Sequence, residues 1–228
     1  MPTTLGRPSL WMGRSSKGCS VSEWRERGHV ARYLERADAL PHRAEGEAVL
    51  LEELPSRLLR VLDLGSGDGR LLGLVLTAAP AAHGVALDFS PPMLEQLHER
   101  FGSDGRVEIV AHDLAQPLED LGRFDAVVSS LAIHHLEDER KRQLYSEVLA
   151  TLRPGGTFCN LDHVASPSIG VHLRFQEAIG RTPDDDDPSN RLLDVETQLG
   201  WLRDLGFVDV DCYWKWRELA LLVGTRPE

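Results

Sequence analysis

The decapeptide VLDLGSGDGR, residues 61–70, ends an apolar run in an acid and then sets glycines at three alternate positions, Gly65, Gly67 and Gly69. A near-continuous apolar run suits a strand buried on both faces, and glycines directly after it suit a sharp turn into a helix. In an open parallel sheet, ligands lie beyond the C-terminal strand ends, where this loop would stand. The spacing narrows the ligand. A phosphate P-loop requires G-x-x-x-x-G-K-[ST], and no lysine is present here. The dinucleotide fingerprint G-x-G-x-x-G, counted from Gly65, meets Arg70 where its last glycine belongs. Acid-x-G-x-G-x-G fits a ligand without a pyrophosphate. The plain alternative is a glycine-rich turn that binds nothing.

Two acids downstream favour the ligand. GVALDFSPPMLEQL ends a second apolar run at Asp88, 21 residues beyond Gly67, where a carboxylate can accept both ribose hydroxyls of a nucleoside. Ser90 and Pro91 then read as cap and first residue of a helix. VEIVAHDLAQPL ends a third run at Asp113, placed to accept from an adenine amino group. Each acid alone also reads as a helix cap. With the glycines, at the ends of three successive strands, they describe a site for adenosine without a pyrophosphate.

The rest of the chain supports that architecture. Residues 22–54 read as two helices, the first capped by Ser22 and carrying Trp24, Val30, Tyr33 and Leu34, the second opened by Pro41. Strands are predicted at 59–64, 84–87, 107–110, 126–128 and 155–164, with helices at 71–79, 91–101 and 140–152. A polar loop, GRTPDDDDPSN, precedes a helix carrying Val195, Leu199, Leu202 and Leu205, and two late strands close the chain. Alternating strands and helices predict a mostly parallel sheet covered on both faces. The late pair has no room for a crossover helix, so its strands should be antiparallel neighbours.

Composition bounds the setting. The chain has 228 residues, 42% hydrophobic and 27% charged, enough for one sizeable core. Residues 1–20 lack any acid and read as a flexible tail before a domain at 21–228. No apolar run approaches the roughly 18 residues that cross a bilayer. Three widely spaced cysteines, Cys19, Cys159 and Cys212, suit a reducing compartment, and a cytoplasmic location is expected. The net charge of −11 disfavours broad nucleic-acid binding, yet residues 1–43 hold eight basic side chains against four acids. That segment is either a basic entrance for an anionic substrate or a solvated helix.

The segments VLDLGSGDG, GVALDFSPPMLEQL, AHDLAQPL, FDAVVSSLAIHHLEDERKRQLYSEVLATLRPGGTF and LGFVDVD resemble, in order and spacing, the motifs of class I S-adenosylmethionine-dependent methyltransferases. The resemblance runs from about residue 49 to the C-terminus. It implies a Rossmann-like α/β fold whose seven strands run 3-2-1-4-5-7-6, the last antiparallel, with helices on both faces. Residues 21–55 would form an N-terminal helical cap, and 164–192 a substrate-side insertion. It implies S-adenosyl-L-methionine as cofactor. Gly65, Ser66 and Gly67 would line its methionine and ribose, and Asp63 would anchor the loop near the amino group. Asp88 would take the ribose hydroxyls, Phe89 and Met93 would flank the adenine, Asp113 and Leu114 would contact the base, and Ser130 would reach the methionine amine. Arg43, in the cap, is a partner for the methionine carboxylate or a surface arginine.

Candidate bases follow the fourth and fifth strands. In SSLAIHHLEDE at most one of His134 and His135 should face the pocket, and the family pattern favours His135, as base or as a packing residue over the cofactor. NLDHVASP offers Asp162 and His163 as an acid-oriented imidazole. Asp184 to Asp187 read as a solvated loop, and no metal is expected. Trp24, Tyr33, Trp214 and Trp216 are either pocket walls or core; His172, Arg174, Phe175 and Arg181 are further wall candidates. The expected activity is methyl transfer to a small-molecule acceptor. A tRNA-linked enzyme (a wobble-uridine methyltransferase or a carboxylated-cofactor synthase) and a non-catalytic cofactor-binding partner are the alternatives. A homodimer through the cap stays open.

Overall fold

The computed structural model describes residues 23–228. The expected tail at 1–20, the Ser22 cap and Cys19 lie outside them. After a 3₁₀ turn at Glu23–Arg25 come α1 (Arg27–Asp38) and α2 (Arg43–Glu52). Then follow β1 (Arg60–Leu64), α3 (Arg70–Ala78), β2 (His83–Asp88), α4 (Pro91–Phe101), β3 (Val107–Ala111) and β4 (Phe124–Ser130). A short 3₁₀ turn, Ile133–His135, leads to α5 (Asp138–Thr151), β5 (Leu152–His163), α6 (Ile169–Ala178), α7 (Val195–Leu205), β6 (Val208–Trp216) and β7 (Leu219–Thr225). The seven strands form one sheet in the order β3-β2-β1-β4-β5-β7-β6. Only β7 runs antiparallel to its neighbours, β5 and β6.

Alternation explains the apolar runs. Val61, Ala86, Val128 and Leu161 face one side, packed with Leu50 of α2, Leu72 and Val75 of α3 and Leu97 of α4. Leu62, Leu64, Val85 and Val127 face the other, packed with Leu144 and Val148 of α5 and Leu202 of α7. Successive strand residues therefore serve two cores, which makes the runs mostly apolar, with buried polar residues such as Asp63 and Asp162 near the C-terminal strand ends. Cys159 and Cys212 are both free thiols.

Three local readings differ from expectation. The first helix begins at Arg27 with Glu26 as its N-cap residue. Pro41 stands ahead of α2 rather than opening it, because His42 adopts a left-handed conformation (φ 63°) and sets its Nδ1 2.7 Å from Glu45 Oε2. The segment after β5 contains a helix, α6, that the apolar pattern does not reveal.

The position of α2 is fixed by contact and by charge. A Cβ at Gly46 would stand 2.8 Å from Leu161 Cδ1 and 2.9 Å from the Trp214 ring, so the missing side chain lets α2 lie against the sheet. Trp214 is thus a packing residue. Beside it Glu47, 2% exposed, accepts two hydrogen bonds from Arg70 at the head of α3, from Nε to Oε1 and from Nη2 to Oε2, each 2.9 Å. Arg43 Nε approaches the same carboxylate to 2.9 Å without aligning its N–H on it. Glu47→Ala should leave both guanidiniums with only the exposed Asp38 carboxylate, 3.7 Å from each. Urea unfolding should show a loss of about 2–3 kcal/mol, less than a fully enclosed pair because Arg70 is partly exposed.

Candidate active site

The glycine loop joins β1 to α3 beside the place where strand order reverses, between β1 and β4. Its glycines serve different ends. Gly65 has φ 66°, and a Cβ there would stand 2.4 Å from Ala132 Cβ, so Gly65 admits the chain leaving β4. Gly67 has φ 57° and meets only Met93 Sδ, at 3.9 Å, so its backbone remains approachable. Ser66 closes the loop, its N–H donating to Leu87 O (2.8 Å) and its hydroxyl to Asp63 O (2.9 Å).

Asp88 organises the next strand end. Its Oδ2 accepts from Gly67 N and its Oδ1 from Ser90 N, each at 2.9 Å. Burial raises its pKa to about 6 against these bonds. Each oxygen keeps a lone pair for a further donor. Ser90 does not cap α4 through its side chain; its hydroxyl donates to Trp24 O (2.6 Å), which ties the N-terminal segment down. Asp113 is half-buried, with Oδ1 accepting from Ala115 N (2.9 Å). Leu114 and Met93 are buried, and Phe89 is half-buried.

Asp63 is 1% exposed, and neither carboxylate oxygen has a hydrogen-bond partner among the described residues. Burial lifts its pKa to about 7 against the neighbouring Ser66 hydroxyl and Leu72 backbone, with the Asp88 charge adding to the rise. Ser130 Oγ, at the end of β4, is likewise buried and unpartnered. Unsatisfied buried acceptors are costly and rare, and these two fit an ammonium-bearing ligand over the glycine loop. Arg43 is less free than expected. Glu47 holds its guanidinium and Asp38 lies 3.7 Å away, so a methionine carboxylate would have to share it.

The histidines are paired differently from expectation. Asp162 Oδ1 lies 2.6 Å from His134 Nδ1, and the His163 ring turns to Glu218, with Nε2 2.8 Å from Oε2. Adjacent strand residues point to opposite faces, so Asp162 and His163 cannot form the expected side-chain dyad. From His163 the Asp162 carboxylate accepts only the backbone N–H, at 2.9 Å. Burial raises the Asp162 carboxyl, but His134 outweighs it and holds the group below its ordinary value. Glu218, 1% exposed, also meets His172 Nδ1 at 3.0 Å and accepts from the Ser166 hydroxyl. Nothing local in RELALLV marked it.

His135 stands apart from these ion pairs. Its Nδ1 lies 2.9 Å from Ser189 Oγ, and Ser189 donates its hydroxyl proton to Asp187 Oδ1 (2.7 Å). The hydroxyl can then only accept from the ring, which fixes the proton on Nδ1. Nε2 is left as a buried acceptor without a partner among the described residues. Burial, then the neighbouring His134, drives the His135 pKa down, so the ring is neutral. Trp24 packs edge-on against it, ring centroids 5.5 Å apart.

His134 and His135 both line a cavity of about 70 Å³, where only one was expected. Tyr33, Leu131, His163, Phe175 and Arg181 line it too, whereas Arg174 is exposed and does not. Leu131 has φ 55°, a left-handed backbone that costs a leucine about 1 kcal/mol, and its carbonyl accepts from Tyr33 OH at 3.2 Å. Trp216 stacks with His42 instead, centroids 4.5 Å apart.

Comparison with known proteins agrees with this geometry. A methyltransferase-domain family model matches residues 61–156. Over 177 residues the chain is 33% identical to demethylmenaquinone methyltransferase of Clavibacter sepedonicus, covering 67% of this chain and 66% of that one. Over 117 residues it is 38% identical to malonyl-[acyl-carrier protein] O-methyltransferase of Methylococcus capsulatus, covering 50% and 42%. The chain therefore spans about two thirds or less of these relatives' lengths. An O-methyltransferase family protein from Burkholderia thailandensis shares the fold, with TM-score 0.71 at 20% identity over 91% of this chain and 62% of that one. The sheet order and glycine loop define a Rossmann-like methyltransferase fold. The chain belongs to the class I S-adenosylmethionine-dependent methyltransferases, whose cofactor is S-adenosyl-L-methionine.

Two measurements check the cofactor half. Folding favours protonated Asp63, so the stability it lends is present at low pH and is lost as pH rises from about 4 to about 7. Asp63→Asn should therefore gain stability over the parent, by urea unfolding of the cofactor-free protein, between pH 5 and pH 8. Asp88→Ala should lower affinity for S-adenosylhomocysteine by roughly tenfold or more in calorimetry; unchanged affinity would refute its ribose role.

Proposed function

We propose that this protein transfers a methyl group from S-adenosyl-L-methionine to a small-molecule acceptor held in the histidine-lined cavity. The observation that carries the reading is His135, a neutral imidazole whose relay through Ser189 and Asp187 leaves a buried acceptor nitrogen without a partner. When bound, the sulfonium supplies a methyl already activated by a leaving group that departs neutral. The chain's part is then to hold the acceptor in line and keep water away, which contributes several kcal/mol of the barrier and up to about 7–11.

The cofactor would be held by the Gly67 backbone, by Asp88 at the ribose, by Asp63 and Ser130 at the methionine amine, and by Phe89, Met93, Asp113 and Leu114 around the base. His135 Nε2 would take the proton of an acceptor hydroxyl or amine. Asp162 holds His134 beneath it, and Glu218 holds His163 at the cavity wall. These two pairs are positioning elements. His163 and Asp162, first expected as a catalytic couple, thus act in separate pairs.

The direct test is transfer of isotope-labelled methyl from S-adenosylmethionine into a cell extract fractionated into small molecules, RNA and protein. Label is expected among the small molecules; label in RNA alone would replace this reading with an RNA-directed one. With the acceptor in hand, His135→Gln should lower kcat by roughly 10²–10⁴ while S-adenosylhomocysteine affinity changes little. Because the His135 pKa is depressed, kcat at saturating S-adenosylmethionine should show no loss at 6.5, the ordinary histidine value, whereas the KM for the cofactor is free to rise as Asp63 and Asp88 protonate.

A further inference from the structure

Two guanidinium groups, those of Arg36 and Arg181, line the cavity that holds His134 and His135. Arg36 shares the cavity-facing side of α1 with Tyr33 and Ala37, at i, i+3 and i+4, and is an exposed residue at the cavity's rim whose Nε donates to Arg32 O at 3.2 Å. Arg181 follows α6, its backbone N–H donating to Gln176 O at 2.8 Å, and its side chain is half-buried. Among the described residues neither guanidinium forms an ion pair with a carboxylate.

The nearby acids are engaged elsewhere. Asp185 Oδ2 accepts from Thr182 N (2.8 Å) and Oγ1 (2.7 Å). Asp186 faces Gln176 Nε2 (3.3 Å) and His172 Nε2 (3.4 Å). Asp187 is taken by Ser189. Burial, then the like charge of Arg36, push the Arg181 pKa down, while Asp185, Asp187 and Asp186 oppose the shift from beyond ion-pair range. The two cations repel, Asp187 at the cavity edge is bound to Ser189 and pairs with neither, and an anion entering between them would relieve that repulsion. Leu40, Phe175, Ile179 and Leu219 give the cavity an apolar side, and Tyr33, His163, Asn190 and the Ser189-bound Asp187 line it as well.

We infer that Arg36 and Arg181 form a subsite for an anionic group, a carboxylate or a phosphate, on an acceptor whose apolar body lies between Phe175 and Leu219. This inference rests on the small-molecule reading above. It defines the acceptor class as an amphipathic acid, with the methylated atom at the His135 end and the charge at the arginine end. Guanidinium recognises both oxyanions through paired N–H donors.

The test is calorimetric titration of the full chain, saturated with S-adenosylhomocysteine, with benzoate, phenyl phosphate and neutral benzyl alcohol. At least one anion should bind tenfold or more tightly than the alcohol, and which one binds better identifies the carboxylate or phosphate source. Arg36→Gln and Arg181→Gln should each weaken the anion about tenfold, leave the alcohol and S-adenosylhomocysteine within twofold, and leave the melting temperature unchanged. Arg181→Lys should recover part of the loss. Equal binding of alcohol and anions, no anion binding, or anion affinity untouched in both variants would overturn the subsite. If methyl label still reached the small-molecule fraction, only the subsite would fall. Label confined to RNA with the anion preference intact would instead overturn the small-molecule reading.

Discussion

One carboxylate holds the catalytic end of this molecule together. Asp88 spends one oxygen on Gly67 of the glycine loop and the other on Ser90 at the head of α4. Ser90 passes the connection to the Trp24 carbonyl, and the Trp24 ring rests against His135. The glycine loop, the helix after β2, the N-terminal segment and the histidine are thereby joined in sequence. A charge-assisted bond to a backbone N–H is among the stronger hydrogen bonds available, and this group makes two while buried. Its raised pKa shows how far burial opposes those bonds.

The site's buried polar groups divide into satisfied and unsatisfied sets. Asp162 with His134, and Glu218 with His163, His172 and Ser166, are closed networks in which each buried charge has partners. Buried networks of this kind fix side-chain orientation when complete. Asp63, Ser130 and His135 Nε2 are open. They stand at the ends of β1 and β4 or just beyond, where the fold brings a ligand, and an open polar atom there is a cost that a bound partner removes.

Much of this was legible in the residues. The helix at 91–101 and the antiparallel last pair follow from proline placement and from the short distance between the late strands. The glycine loop and its acids pointed to adenosine without a pyrophosphate because each stands at a strand end, where the side chain has one place to go, and the resemblance to the methyltransferase motifs supplied the cofactor. Other features had no such signal. Helix α6 was missed because Ile169 and Leu173 are exposed while its buried residues include His172 and Gln176, so hydrophobic periodicity points the wrong way. The histidine pairing was misread as a contact between chain neighbours, although strand alternation forbids it. The Ser189 relay joins positions 54 residues apart and could come only from the fold.

The two halves of the site stand on different foundations. The cofactor half is made by strand ends and by the loop between β1 and α3, all inside the 61–156 span that matches the methyltransferase domain. The wall opposite is made largely by α1, α6 and residues around 181–190, joined by His163 at the end of β5 and Leu219 at the start of β7. Substitutions in that wall alter the cavity without entering either central core cluster. Acceptor preference in such a scaffold is therefore free to diverge by surface-level sequence drift while the nucleoside-binding frame stays under the full constraint of folding.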